Sequence, residues 1–140
     1  TGARGGSPHV KTFDIRGDQL KSFYAFSPSQ VVGGITVAAG DLDGDGRAEI
    51  IVGGNFGGQN LVNVINADTT TRNSLAFPAG TATNASLLGP NVATADVNAD
   101  GHLDVLVTLG ASVTALDGRT LAPLSTLEPY SGFNGGVFVG

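Results

Sequence analysis

The sequence predicts an all-β protein built from four-stranded antiparallel sheets that recur about every 50 residues, and three observations carry that prediction. The chain repeats itself in register along most of its length. Its apolar runs are short, rich in Val and Ile, and bounded by Gly, Asn, Asp or Pro, as strands are. Its 140 residues include 22 glycines and no Met or Trp, a composition suited to tight turns rather than long helices.

The repeat is read from three alignments. Val37-Ala-Ala-Gly-Asp-Leu-Asp-Gly-Asp-Gly-Arg-Ala-Glu-Ile-Ile-Val52 matches Val92-Ala-Thr-Ala-Asp-Val-Asn-Ala-Asp-Gly-His-Leu-Asp-Val-Leu-Val107, an offset of 55. Val10-Lys-Thr-Phe-Asp14 matches Val62-Asn-Val-Ile-Asn66 and Val113-Thr-Ala-Leu-Asp117, at offsets of 52 and 51. Gly34-Ile-Thr-Val37 matches Gly136-Val-Phe-Val139 across two repeats, an offset of 102. Each repeat reads as strands A (Ile35–Ala39), B (Glu49–Val52), C (Leu61–Asn66) and D (about Ser74–Phe77). Strands A and B are almost continuously apolar, which suits burial on both faces in a stack of sheets. Four such strands in a unit of this length describe a β-propeller blade.

On this reading residues 1–140 are one propeller segment of about two and a half to three blades. Residues 1–30 hold strands C and D of a broken blade, 31–80 and 81–130 are full blades, and 131–140 supply strand A of a following one. The equivalent of residues 39–52 is what separates end from start. Uncovered sheet faces and edges are unfavourable, and a propeller is stabilised by closure of its ring. The expectation is therefore part of a longer propeller chain, or copies that form a homo-oligomer.

The charge pattern is more telling than the net charge of −5. Seven of the 12 acids (Asp41, Asp43, Asp45, Glu49, Asp96, Asp100 and Asp104) fall in two nine-residue windows. The remaining acids and bases nearly balance, so the acidity is local, as at cation sites. No Lys/Arg cluster suggests nucleic-acid binding. No apolar run is long enough for a membrane-spanning helix. The absence of Cys excludes disulfide staples, thiolate zinc sites and a Cys nucleophile. The first residues show no charged-then-apolar leader and no initiator Met, so the chain reads as processed, excised or partly represented.

Both acidic windows follow D-x-[DN]-x-D-G-x-x-[DE]. Asp41, Asp43 and Asp45, and in the second window Asp96, Asn98 and Asp100, turn alternate side-chain oxygens toward one point. Gly46 and Gly101 permit the bend, Arg47 and His102 offer backbone carbonyls, and Glu49 and Asp104 close the shell. Hard, flexible oxygen donors select Ca²⁺ over Mg²⁺ or transition metals, giving two expected calcium sites. Because its backbone is the donor, the His102 ring is expected to face solvent. An EF-hand is excluded: it needs a Glu where Val52 and Val107 stand, and helices on its flanks. Hairpin turns alone would pack three or four carboxylates together with no compensating charge.

These residues resemble the FG-GAP/VCBS repeats of integrin α-subunit-type propellers and of related bacterial surface proteins and lectins. Gly33–Asn55 carries the closest match and Leu88–Gly110 repeats it, while Gly5–Asp14 is similar to strand C of bacterial versions. The family Phe is replaced by Gly33, Leu88 and Gly135. Its Gly-Ala-Pro is replaced by Gly53-Gly54-Asn55 and Thr108-Leu109-Gly110. The resemblance implies an extracellular or surface protein whose calcium stiffens a propeller used in adhesion, protein contact or sugar binding. It implies the same ligands: Asp41, Asp43, Asp45 and Glu49, then Asp96, Asn98, Asp100 and Asp104, with carbonyls from Arg47 and His102.

No catalytic constellation is legible. A Ser/His/Asp triad needs a His, and there are only His9, which at the start of a strand C is expected to pack or face solvent, and His102 in the second loop; Gly5-Gly-Ser7 is not a nucleophile elbow. Carboxylates held ionised by a cation are poor general acids. Tyr24, Tyr130, Phe56 and Phe133 either fill gaps between blades or stack on sugars. The expectation is a non-catalytic calcium-binding propeller segment with a structural, adhesive or protein-interaction role. A lectin, or an accessory domain of a polysaccharide-degrading enzyme, is the alternative. Partners are then protein or glycan, and the ligand-binding residues are unknown.

Overall fold

The computed structural model describes residues 7–28, 34–56, 58–77, 89–130, 137 and 139. Ten strands form three antiparallel sheets, and there is no α-helix among the described residues. Sheet I pairs β1 (His9–Phe13) with β2 (Gln19–Tyr24). Sheet II runs β3 (Ile35–Gly40), β4 (Glu49–Phe56), β5 (Gln59–Ile65) and β6 (Thr71–Phe77) in spatial order. Sheet III runs β7 (Asn91–Ala95), β8 (Asp104–Leu109), β9 (Ser112–Leu116) and β10 (Pro123–Leu127) likewise.

The repeat in the sequence is a repeat in register. Val37 pairs with Val52 in sheet II, and Val92 pairs with Val107 in sheet III. Val10–Phe23, Val62–Leu75 and Val113–Leu127 are matching pairs in sheets I, II and III. The expected four-stranded antiparallel blade is therefore what forms. Strand B is longer than its expected end at Val52, because Gly53, Gly54 and Asn55 continue the ladder opposite Val62, Leu61 and Asn60. Gly53 also admits the next sheet: a Cβ there would meet the Pro90 carbonyl oxygen at 2.6 Å. Strand D begins earlier than expected, at Thr71. The expected blade boundaries near residues 30 and 80 lie outside the described residues, as does most of 131–140.

Alternation along each strand sends neighbouring side chains into two different cores. Ile51, Val62 and Val64 of sheet II pack with Val92, Val105, Val107 and Leu116 of sheet III. Ile35, Val52 and Ile65 of sheet II pack the other way, with Val10 and Ala25 against sheet I. This double burial is why strands A and B lack polar alternation. Each fully buried aliphatic side chain is worth about 1.5–3 kcal/mol, against about 0.5–1.5 kcal/mol for a hydrogen bond. Side-chain packing therefore outweighs cross-sheet bonds such as Thr36 Oγ1 to Pro90 O (2.6 Å), Thr94 Oγ1 to Ala39 O (3.2 Å) and Asn63 Nδ2 to Ala25 O (2.8 Å). Those bonds fix the orientation of neighbouring sheets, and the one from Thr94 to Ala39 lies beside the loops that follow β3 and β7.

Candidate metal centre

Residues 41–48 connect β3 to β4, and residues 96–103 connect β7 to β8. The first carboxylate of each loop nucleates it. Asp41 accepts the N–H groups of Gly44 (2.7 Å) and Gly46 (2.9 Å), and Asp96 those of Asp100 (3.1 Å) and Gly101 (3.0 Å). Further on, Asp43 accepts from the Asp45 amide and Asn98 from the Asp100 amide, at 3.2 and 3.0 Å. Asp45 and Asp100 then accept the amides of Arg47 (2.7 Å) and His102 (2.8 Å). Such bonds from a side chain to an amide two residues on tighten each turn.

The wrap requires left-handed backbone at two places per loop. Gly46 and Gly101 take φ of 83° and 87°, where a side chain would be strained. Gly44 and Ala99 occupy the other such place, at 81° and 61°, so the second loop spends backbone strain that the first avoids.

The closing acids are buried and turned inward. Glu49 is 2% exposed and Asp104 is fully buried. Glu49 Oε2 accepts the Leu42 N–H at 2.9 Å, and Asp104 Oδ2 accepts the Val97 N–H at 3.0 Å. Here the loops diverge. Asp104 Oδ1 takes a second amide, Gly118 N at 3.2 Å, and Gly118 fits so tightly that a Cβ would overlap the Leu103 carbonyl. In the first loop the longer Glu49 stands beside Ala67, at the repeat position of Gly118.

Asp41, Asp43 and Glu49 bring one oxygen each to within 4.8 Å of one another. Burial raises the pKa of Glu49, and the charges of Asp43 and Asp45 add to the rise against the Leu42 N–H. Burial acts upward on Asp41 too, but the amides of Gly46, Gly44, Asp45 and Asp43 outweigh it and hold its carboxyl below the ordinary value. The His102 amide and the Asn98 side chain lower Asp100 in the same way. The first loop fits a hard divalent cation: three converging carboxylates, one of them buried without a counter-charge of its own. In the second loop the Asn98 amide group donates to Asp100 Oδ2 (2.9 Å) and both Asp104 oxygens receive amides, so its donors are tied up in hydrogen bonds.

Three features lie beyond the sequence-based expectations. Arg72 on β6 places Nη1 3.3 Å from Asp43 Oδ2 and donates from Nη2 to the Arg119 carbonyl at 2.8 Å, linking the first loop to sheet III. Asn66 and Asp68, in the turn after β5, line the same depression as Asp43, Asp45 and Glu49. The His102 ring, expected to face solvent, does so only in part. It is half-buried, with Nε2 3.4 Å from Arg119 Nη1 and Cε1 2.9 Å from where a Cβ on Gly44 would stand. The compact bend at Gly44 leaves room for it, so the two loops touch. A sequence signal for Arg72 was available in the repeat: Lys21 on β2 stands 51 positions before it and donates to the Ala67 carbonyl of the next sheet, as Arg72 does to that of Arg119.

Away from the loops, Phe56 packs on Phe26 at 4.3 Å, filling a gap between sheets as one of its two expected roles required. His9 stacks on Tyr24 at 4.9 Å and bonds Ser22 through Nε2 at 2.7 Å. Phe133 lies outside the described residues.

The fold is that of repeated propeller-type sheets with an acidic loop between the first two strands of each four-stranded one. Residues 41–107, from the first acidic loop through the second and into β8, match the FG-GAP-like repeat family. No curated protein and no solved structure matches the chain.

Proposed function

We propose that this chain is a non-catalytic, calcium-binding β-propeller segment of an extracellular or surface protein, of the integrin α-like kind, with a structural, adhesive or protein-contact role. The observation that carries the reading is the convergence of Asp41, Asp43 and Glu49 to within 4.8 Å, with Glu49 buried. Bound calcium supplies the positive charge that lets these carboxylates stay ionised together. Asp41, Asp43, Asp45 and Glu49 hold it, with the Arg47 carbonyl; at the second site Asp96, Asn98, Asp100 and Asp104, with the His102 carbonyl, give up their present hydrogen bonds to take the ion. The ion ties the end of β3 to the start of β4, so binding and blade stability are one equilibrium. Sites of this class in extracellular modules work at the abundant calcium found outside cells.

Calorimetric titration of the EDTA-stripped chain with Ca²⁺, alongside thermal melts, tests the reading. Saturable uptake with a rise in midpoint supports it. No heat and an unmoved midpoint in excess calcium would sink it.

A further inference from the structure

The turn between β1 and β2 carries Arg16-Gly17-Asp18, opposite charges separated by one glycine at the tip of a hairpin. Its backbone is held by Asp14. The Asp14 Oδ1 atom accepts the amides of Arg16 and Asp18, each at 2.9 Å. The Asp14 carbonyl accepts the Gly17 amide at 3.1 Å, and the Asp14 amide donates to the Asp18 carbonyl at 2.9 Å. Gly17 takes φ of 89°, which glycine reaches without strain. The side chains of Arg16 and Asp18 take no part in holding the bend. Neither has a hydrogen-bond or ion-pair partner among the described residues.

Exposure at these places is a property of the turn. Asn66 and Asp117 open the corresponding turns of sheets II and III, which have four strands and an acidic loop each. Asp68-Thr69 and Arg119-Thr120 stand where Arg16-Gly17 does, and all four are exposed; so is Thr70, at the place of Asp18. Arg119 stays exposed even with His102 3.4 Å away. Thr69 repeats the left-handed backbone, at φ of 79°, and its amide bonds the Asn66 carbonyl as that of Gly17 bonds Asp14. In sheet II the acid at the tip is turned inward, since Asp68 Oδ1 takes the Thr70 hydroxyl and amide. In sheet I a cation and an anion share the tip, and both are unengaged.

We propose that this turn is a docking point for an adhesion receptor whose site sets a divalent cation beside an acidic pocket. The Asp18 carboxylate completes the oxygen shell of the receptor's cation, and the Arg16 guanidinium pairs with a carboxylate of the pocket. A tip already held in its bend loses little backbone freedom on docking, which favours affinity. The proposal gives a partner to the adhesive role proposed above. It rests on the surface reading and not on the calcium of this chain.

The test is capture of a purified integrin ectodomain by the immobilised 140-residue chain in Mn²⁺, with an ectodomain that binds a surface-coupled Arg-Gly-Asp peptide in the same assay. Saturable capture, abolished by soluble Arg-Gly-Asp peptide, is expected. Asp18→Glu keeps the charge and lengthens its arm. The double change Arg16→Asp with Asp18→Arg keeps the net charge and reverses its order. Each is expected to weaken capture by about tenfold or more, the equivalent of one charge-assisted contact, with wild-type circular dichroism. A wild-type chain that captures nothing overturns the proposal, as does a reversed chain that captures as well as wild type. Capture by a chain that takes up no calcium in calorimetry would reject the metal reading while leaving this one standing.

Discussion

Arg72 stands 3.3 Å from Asp43 and donates at 2.8 Å to the carbonyl of Arg119, so one guanidinium joins the first acidic loop to the neighbouring sheet. The pair is partly exposed, at 21% and 37%, and its Coulomb contribution is therefore modest. Replacing Arg72 by Gln is expected to cost about 0.5–1.5 kcal/mol in EDTA, mostly the lost hydrogen bond between sheets. The same change removes a cation beside a ligand carboxylate. Calcium affinity is expected to rise about two- to tenfold, in line with one screened charge near the site. A melt in EDTA and a titration with calcium read the two effects separately. Affinity that falls would mean that the guanidinium holds Asp43 in its binding position.

Glu49 offers a sharper contrast. Its pKa is raised by burial and by Asp43 and Asp45, so without a cation the folded state binds this proton more readily than the unfolded chain does. By linkage, the cation-free protein gains stability from Glu49 as pH falls through its folded pKa, and is penalised above it. Glu49→Gln keeps an oxygen for the Leu42 N–H and removes the charge. Its midpoint is expected above wild type in EDTA at neutral pH, and below wild type in saturating calcium. The crossing of the two melts is the readout. A variant less stable in both buffers would show that the carboxylate is held by something other than a cation.

The sequence made the blades legible because burial on both faces leaves an unbroken apolar signature, as at Ile50–Val52, and because the acidic loops recur at a fixed offset. It also made legible that Val10–Asp14, Val62–Asn66 and Val113–Asp117 are equivalent. It could not show that Arg72 reaches Asp43, a contact across 29 positions that depends on how two sheets stack. Nor could it show that Asp104 and Glu49 differ in more than length, since that depends on Gly118 pressing on the Leu103 carbonyl. The extension of β4 past Val52 was hidden by its glycines, which read as a turn in sequence but act as a gap for Pro90.

Ala99 gives a prediction free of charge effects. Its φ of 61° falls where Gly44 sits in the first loop, and a Cβ in that region strains the backbone by about 1–2 kcal/mol. Glycine relieves the strain and gives back part of the gain as unfolded-state entropy. Ala99→Gly is expected to stabilise the protein by about 0.5–1 kcal/mol, while Gly44→Ala, which also presses on His102, is expected to do the reverse. Denaturant midpoints of the two variants check this. Equal and opposite signs are required by the equivalence of the loops.

Asp117 explains why a carboxylate or amide ends strand C in each repeat. Its Oδ1 accepts the Thr120 hydroxyl and amide, each at 2.7 Å, and the Arg119 amide at 3.1 Å. Asn66 and Asp14 close the corresponding turns, each donating its own amide across the hairpin at 2.9 Å. The bonds from Thr120, and then from Arg119, lower the pKa of Asp117 below the ordinary carboxylate value. A depressed acid contributes stability that is complete above the unfolded pKa and disappears as pH falls through the folded one. Asp117→Asn retains the acceptor oxygen but has no proton to take up. Its stability is expected to decline less than that of wild type between about pH 5 and pH 2, with similar values at pH 7. Asp117→Ala is expected to be less stable at every pH. Parallel acid melts of wild type and Asp117→Asn would show instead that the turn draws nothing from the charge.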